Sequence, residues 1–493
     1  MPGSLACAAT PSVFSAPHLA SAIPADHGSV ICNHYLAPGT TFPEVRCDDA
    51  VVPGKILLFT RGTRVAIALP VQNDRAEAIH ADYVIEQTDR RGIVLRQQSG
   101  PLTLAARDAA RVGYTLDTTQ LPYGVYSLVL RLTANGAPLA EREYYFGVIS
   151  DTIIPKAIDG QFRYGLDPNY GGVVTRPRRP AGNGKKALDP QCDLLGWLDA
   201  SGADILRSAG FGAGPGAWAT DIDDEMAIIR RRGWQIVAMA IPPEPNSKAP
   251  AGSFEQDIQK WTTTLEEAAR ANPDILYWEV GNEPDLGYPG IEHYVKAYEA
   301  SFDAIKRGNP AAAVMNGGIT FFGEKGPANS RRFLDLVQPG KIDLIAFHAH
   351  GPGSLSERKI HEQVRRTALE SGLGDKPVAD TESGMFVGSK RQEEAQAWMV
   401  LQKQAYAQAL GLEFLMTFRL HAFRRGDLGY GLLRSDQEPM PAFIAYRAMT
   451  EHLKGLAFQK KLATMQSHAE GYGFAESRGP RRACVLWSNE TAF

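Results

Sequence analysis

Two glutamates stand at positions where a carboxyl group can work. Glu283 lies in Gly281-Asn282-Glu283-Pro284, which closes the strand-like run "ILYWEV", and Glu382 lies in Thr381-Glu382-Ser383-Gly384, which closes the run "KPVAD". A carboxyl at a strand end is fixed by the backbone yet open to a cleft. Two of them facing each other are the minimal apparatus for cleaving a glycosidic bond. One protonates the leaving oxygen, and the other attacks the anomeric carbon or activates water. A different chemistry is offered by His348-Ala349-His350, whose spacing lets two imidazoles bind one metal. A bound metal needs further ligands beyond these two, and no other strand end supplies a clear set. The expectation is therefore a site without metal or cofactor.

Both glutamates must be carried by elements that bring them to one rim. Residues 55–150 hold short runs rich in β-branched and aromatic residues, punctuated by Gly, Pro, Asn and Asp, as in an antiparallel β-sandwich. The stretch 151–160, "DTIIPKAIDG", is a linker. Beyond it, eight strand-like runs ("FRYGL", "ADILRS", "WQIVAMA", "ILYWEVGN", "AAVMNGG", "IDLIAFHAH", "KPVADTES" and "LEFLMTF") alternate with amphipathic segments. One of these segments sets Ile291, Tyr294, Val295, Tyr298 and Phe302 at helical spacing. Eight such units in a stretch near the ~250 residues of a typical (β/α)8 (TIM) barrel predict that α/β fold. Its site lies at the C-terminal strand ends, where Glu283 and Glu382 fall on the fourth and seventh strands. A doubly wound sheet would need a Gly-rich phosphate loop opening a helix. "GFGAGPGAW" has the glycines without the helix and reads as a loop of the active site.

With Asn-Glu-Pro closing strand four, a glutamate closing strand seven, and "GYGLLRSDQEPMPAFIAYRAM" after strand eight, the stretch from about Gly160 to Gly455 resembles the retaining glycoside hydrolases of clan A. "YWEVGNEPD" and "KPVADTESG" look most like family 39, the β-xylosidase and polysaccharide-glycosidase group. The resemblance implies hydrolysis of β-glycosidic bonds in oligo- or polysaccharides by double displacement. Glu283 would be the acid/base, Glu382 the nucleophile and Asn282 the partner of the sugar 2-hydroxyl. Arg207 would hold the nucleophile ionised, and His348 matches a histidine common in these enzymes. Two positions depart from the pattern. His350 stands where clan members place a tyrosine that bonds the nucleophile, and "MTFRLHAF" lacks the tryptophan that usually closes strand eight, leaving Phe418 or His421 nearest. Trp218, Tyr170 and Trp278 could offer sugar-stacking faces. Glu279, deeper on strand four, reads as structural. Arg419, Arg424 and Arg425 read as a solvated basic loop, with recognition of an acidic sugar as the alternative. A carbohydrate-binding barrel without activity, or a metal-dependent hydrolase using His348 and His350, are the competing functions.

Composition narrows the partners. The 493 residues carry 52 basic and 55 acidic side chains, a net charge of −3 that leaves no electrostatic footprint for nucleic acid or a membrane surface. No run is apolar and long enough for a transmembrane helix. Residues 1–45 contain no Lys or Arg, and Ala20-Ser21-Ala22 resembles a small-residue cleavage site, although prolines break the apolar core a secretory signal needs. The expectation is a leader at 1–30 and a secreted or periplasmic location, with a cytoplasmic one as the alternative. Five cysteines without C-x-x-C spacing read as thiols, with Cys32 and Cys47 able to pair after export. The expected boundaries are a sandwich at 31–155, the barrel at 156–458 and C-terminal strands at 459–493, the start of a further β module docked beside the barrel.

Overall fold

From Ile67 onward, buried and half-buried side chains alternate with the period of two that a strand with one covered face requires. In the computed structural model, which describes residues 45–47, 57–168, 194–211, 222–245, 250, 252–421, 429–434, 438–463 and 469–488, this pattern builds two facing sheets. The strands are β1 (Val45–Cys47), β2 (Leu58–Thr60), β3 (Arg64–Asn73), β4 (Ile79–Thr88), β5 (Val94–Leu104), β6 (Ala109–Asp117), β7 (Gly124–Ala134) and β8 (Ala137–Ile149). One sheet runs β1-β3-β6 and the other β2-β8-β7-β4-β5. Ile67, Leu69, Tyr114 and Leu116 of the first meet Ile85, Leu128, Leu130, Tyr144 and Phe146 of the second in one core. The pairing is antiparallel except between β2 and β8, which run parallel. Met1–Asp151 forms one compact unit and Thr152–Phe493 another.

In the second unit the rhythm changes to strand and helix. The strands β9 (Arg163–Asp167), β10 (Ile205–Phe211), β11 (Gln235–Ala240), β12 (Tyr277–Val280), β13 (Ala313–Asn316), β14 (Ile345–His348), β15 (Val378–Ser383) and β16 (Phe414–Phe418) form a parallel sheet. Parallel bridges Met315–Leu344 and Ile319–Phe347 join β13 to β14 and close the barrel. Around it lie α1 (Leu194–Ser201), α2 (Ile222–Arg232), α3 (Ser253–Ala271), α4 (Pro284–Gly287), α5 (Ile291–Gly308), α6 (Gly326–Leu336), α7 (Gly353–Glu370), α8 (Lys390–Leu410) and α9 (Pro441–Leu453). Inward residues of successive strands, among them Ile205, Tyr277, Met315, Ala346, Ala379, Phe414 and Met416, fill the barrel centre. Large and small residues interleave there. A Cβ at Gly165 would sit 2.3 Å from Met416 Sδ, so that layer closes only around a glycine.

Antiparallel strands β17 (Ala457–Lys461), β18 (Ala469–Ala475) and β19 (Arg482–Ser488) follow the last helix. They pack against α8 and bury Tyr472, Phe474 and Trp487. Among the described residues, no helix is long and apolar enough to cross a membrane.

Candidate active site

The C-terminal ends of β10, β12, β14 and β15 bring together one arginine, three glutamates and two histidines. Arg207 on β10 is the hub. Its Nε donates to Glu279 Oε2 at 2.6 Å, its Nη2 to Asn282 Oδ1 at 2.8 Å, and its Nη1 to Glu382 Oε1. Glu279 Oε1 accepts from Thr381 Oγ1 at 2.7 Å. Glu279 thus belongs to the site. Sequence reasoning undervalued it because a carboxyl inside a strand reads as structural until its partner, distant in the chain, is known.

A β-bulge aims the second glutamate. Phe347 pairs with Asp380 and His348 with Glu382, so β15 carries one extra residue, Thr381, against β14. Ala379 faces the barrel centre and Thr381 reaches Glu279. Strict alternation would then turn Glu382 outward, and the extra residue returns it to the mouth.

The first glutamate is aimed by backbone conformation. Glu283 has φ 46° and ψ 52°, the left-handed region that non-glycine residues seldom occupy. Its N–H donates to Gly317 O at 2.6 Å, which pins the turn. The neighbouring loop must be glycine. A Cβ at Gly317 would lie 2.3 Å from the Gly281 carbonyl carbon, and one at Gly318 (φ +45°) would lie 2.0 Å from His348 Nε2. His348 Nδ1 stands 2.9 Å from Glu283 Oε1, and its Nε2 lies 3.8 Å from Glu279 Oε1. His350 Nε2 stands 3.3 Å from Glu382 Oε2, with its ring edge-on to Phe418 and Tyr430, centroids 5.5 Å away in each case.

The two carboxyls differ in electrostatics. Burial pushes Glu382 up, but the cations of Arg207 and His348 outweigh it and hold the group well below the usual carboxylate range. Glu279 follows the same logic: burial opposes ionisation, and Arg207 and His348 restore it. His348 is raised to about 10: burial works against its charge, and the carboxylates of Glu382, Glu279 and Glu283 overcome it. His348 is therefore an imidazolium at neutral pH. Glu283 is the more open carboxyl, its side chain 28% exposed against 4% for Glu382.

Ligand atoms of Glu283, His348, His350 and Glu382 all lie within 4.8 Å of one another, a set that could also take a metal ion. Beside Asn282 opens a cavity of about 210 Å³, lined in part by Ile241, Glu244, Gly281 and Tyr288.

Of the expected sugar platforms, Trp218 and Tyr170 lie outside the described residues, as do Arg424 and Arg425. Trp278 is fully buried and donates its Nε1–H to Ile275 O, so it offers a sugar no face. Its neighbour Tyr277 points to the barrel centre, and alternation sends the indole to the outer side. Arg419 is buried rather than part of a solvated loop. Sequence reasoning missed Tyr430 and Phe386. Phe386 is half exposed and packs edge-on against Tyr430 at 5.7 Å.

No family model matches the chain, and no curated protein does. Solved structures do. The chain is similar to a glucosidase from Croceicoccus marinus (TM-score 0.46, 18% identity, 65% of this chain and 78% of that one) and to a calcium-binding mutant of Bacteroides uniformis β-glucuronidase 2 (TM-score 0.42, 14% identity, 89% and 57%). More narrowly, it shares the fold of a family 39 glycoside hydrolase from the gut symbiont Bacteroides cellulosilyticus WH2, with TM-score 0.63, 16% identity and 90% of each chain covered.

Proposed function

We propose that the protein is a retaining glycoside hydrolase that cleaves β-glycosidic bonds of oligo- or polysaccharides through Glu283 and Glu382. The observation that carries this is the carboxyl pair itself. Oxygens of the two glutamates come within 4.8 Å, and only Glu382 is clamped by Arg207. Retaining enzymes need carboxyls ~5–5.5 Å apart, whereas inverting ones need ~6.5–9.5 Å to admit water. Ionised Glu382 attacks the anomeric carbon and forms a glycosyl ester. The proton held between His348 Nδ1 and Glu283 Oε1 goes to the departing oxygen through Glu283, the carboxyl open to the cleft. Glu283 then takes a proton from water, which cleaves the ester and restores Glu382. Asn282, its Oδ1 held by Arg207, has its amide N–H2 left for the sugar 2-hydroxyl.

A panel of nitrophenyl β-glycosides and polysaccharides tests the activity, and azide rescue tests the roles. Glu382→Ala should abolish turnover, and azide should restore it with an inverted glycosyl azide. Glu283→Ala should spare the first step for good leaving groups and give a retained azide product. Opposite stereochemistry would exchange the two roles, and a wild-type product of inverted configuration would defeat the mechanism. The four converging ligand atoms favour a second reading, a metal-dependent hydrolase. Activity lost to chelator and restored by Zn²⁺ would put that reading in place of the first.

A further inference from the structure

Behind the bulge, on the side of β15 facing the helices, a second charged cluster is buried with no part in the chemistry above. Glu357 of α7, Asp380 of β15 and Lys403 of α8 are all at most 1% exposed. Lys403 Nζ donates to Ala349 O, the carbonyl between His348 and His350, and to Ser383 Oγ at 3.1 Å. Ser383 Oγ reaches Glu357 Oε2 at 3.1 Å, and Lys403 Nζ lies 3.9 Å from the same oxygen. Asp380 Oδ1 accepts the N–H of Glu382 at 3.1 Å. Glu357 Oε1 and Asp380 Oδ2 are buried with no hydrogen-bond partner, and burial pushes both carboxyls up. One ammonium beside two buried carboxyls is charge-balanced when one of the two carries a proton. The cluster then holds one ammonium, one carboxylate and one carboxylic acid, and its net charge is zero.

We propose that Lys403, Glu357 and Asp380 are positioning residues, a charge-neutral buried cluster that fixes the strand ends carrying His350 and Glu382. The inference rests on the reading of Glu382 as nucleophile. Lys403 grips the end of β14 at Ala349, Asp380 grips the bulge at the Glu382 amide, and Ser383 Oγ links Lys403 to Glu357. Neutrality makes the cluster tolerable in a dry interior, where an uncompensated charge is costly. The grip matters because a nucleophile displaced by about 1 Å can lose on the order of 100-fold in rate.

The charge count makes the test specific. Asp380→Asn keeps an oxygen for the Glu382 N–H and leaves Glu357 to ionise against Lys403. Glu357→Gln does the same for Asp380. Each single variant stays neutral and should keep kcat within about 3-fold. The double variant strands Lys403 with no carboxylate, and Lys403→Met removes the grip on Ala349. Both should lose kcat on the order of 30- to 100-fold with KM nearly unchanged, while far-ultraviolet circular dichroism stays that of the folded protein. Infrared spectra should show a protonated-carboxyl band at neutral pH that both single variants lose.

Folded Lys403→Met with full kcat would overturn the proposal, and so would single variants as damaged as the double. If Lys403→Met does not fold, the single variants and the infrared band decide: a 30-fold loss in either, or no band in wild type, overturns it. A wild type inactive on every glycoside refutes the functional reading instead. The infrared result stands apart from activity and keeps the two failures distinguishable.

Discussion

At Arg207 one guanidinium answers two buried carboxylates, and their ionisation depends on it. Without it, only the histidines would oppose the effect of burial on Glu382. Arg207→Met should therefore raise the acid limb of kcat/KM by about 2 pH units and cost about 3–5 kcal/mol of stability. A pH–rate profile and a denaturant titration check both. His348 gives a second dependence. Its pKa is about 10 when folded and 6.5 ordinarily, so between those values the native state binds more protons than the unfolded one. Its contribution to stability should be complete below about pH 6.5 and disappear as pH rises through about 10; denaturant midpoints across that range should fall in wild type and stay flatter in His348→Gln. At this scale the sequence revealed the residues with recognisable neighbours: Asn-Glu-Pro marks Glu283, and Thr-Glu-Ser-Gly marks Glu382. It did not reveal Glu279. Nothing beside that residue in the chain announces that Arg207 from β10 and Thr381 from β15 will meet it.

Strands carry the site, and departures from regular strand geometry aim it. The eight barrel strands were readable because each is a short apolar run set between amphipathic helices. The bulge at Thr381 was not readable, because an extra residue changes register and leaves composition untouched. The left-handed turn at Glu283 was equally hidden, since glutamate is no turn-former and only the contact with Gly317 makes the conformation tolerable. Helix α8 concealed more, burying Glu393, Gln396, Lys403 and Gln404 where its sequence looks like a solvated face. The glycine loop after β13 provides the test of this geometry. Gly318→Ala would drive a methyl to 2.0 Å from His348 Nε2 and also impose a left-handed φ on alanine. The imidazole must then move away from Glu283. We expect kcat to fall on the order of 100-fold with the fold retained, measured beside a circular-dichroism melt. A Gly318→Ala enzyme with wild-type kcat would show that contact with His348 does not matter.

The second unit is larger than its barrel, and its last strands bear on the helices behind the site. Tyr472 and Trp487 stack at 5.3 Å with a 21° interplanar angle, and Tyr472 also meets Tyr406 of α8 edge-on at 6.3 Å. Arg358 of α7, next to Glu357, donates from Nη2 to both carboxylate oxygens of Glu470 on β18, at 2.7 and 2.9 Å. A sheet this small needs its apolar face packed, so these strands gain their order from the helices and brace them in return. That makes two outcomes inseparable. Trp487→Ala removes a buried indole and should cost about 3–5 kcal/mol. Because the sheet and the helices share one packed surface, the whole second unit should still melt as a single transition at lower temperature. Calorimetry of Trp487→Ala against wild type checks this, with the endotherm of the first unit as an internal reference. If the sheet melts separately while the barrel transition stays in place, bracing is ruled out and the strands are passengers on α8.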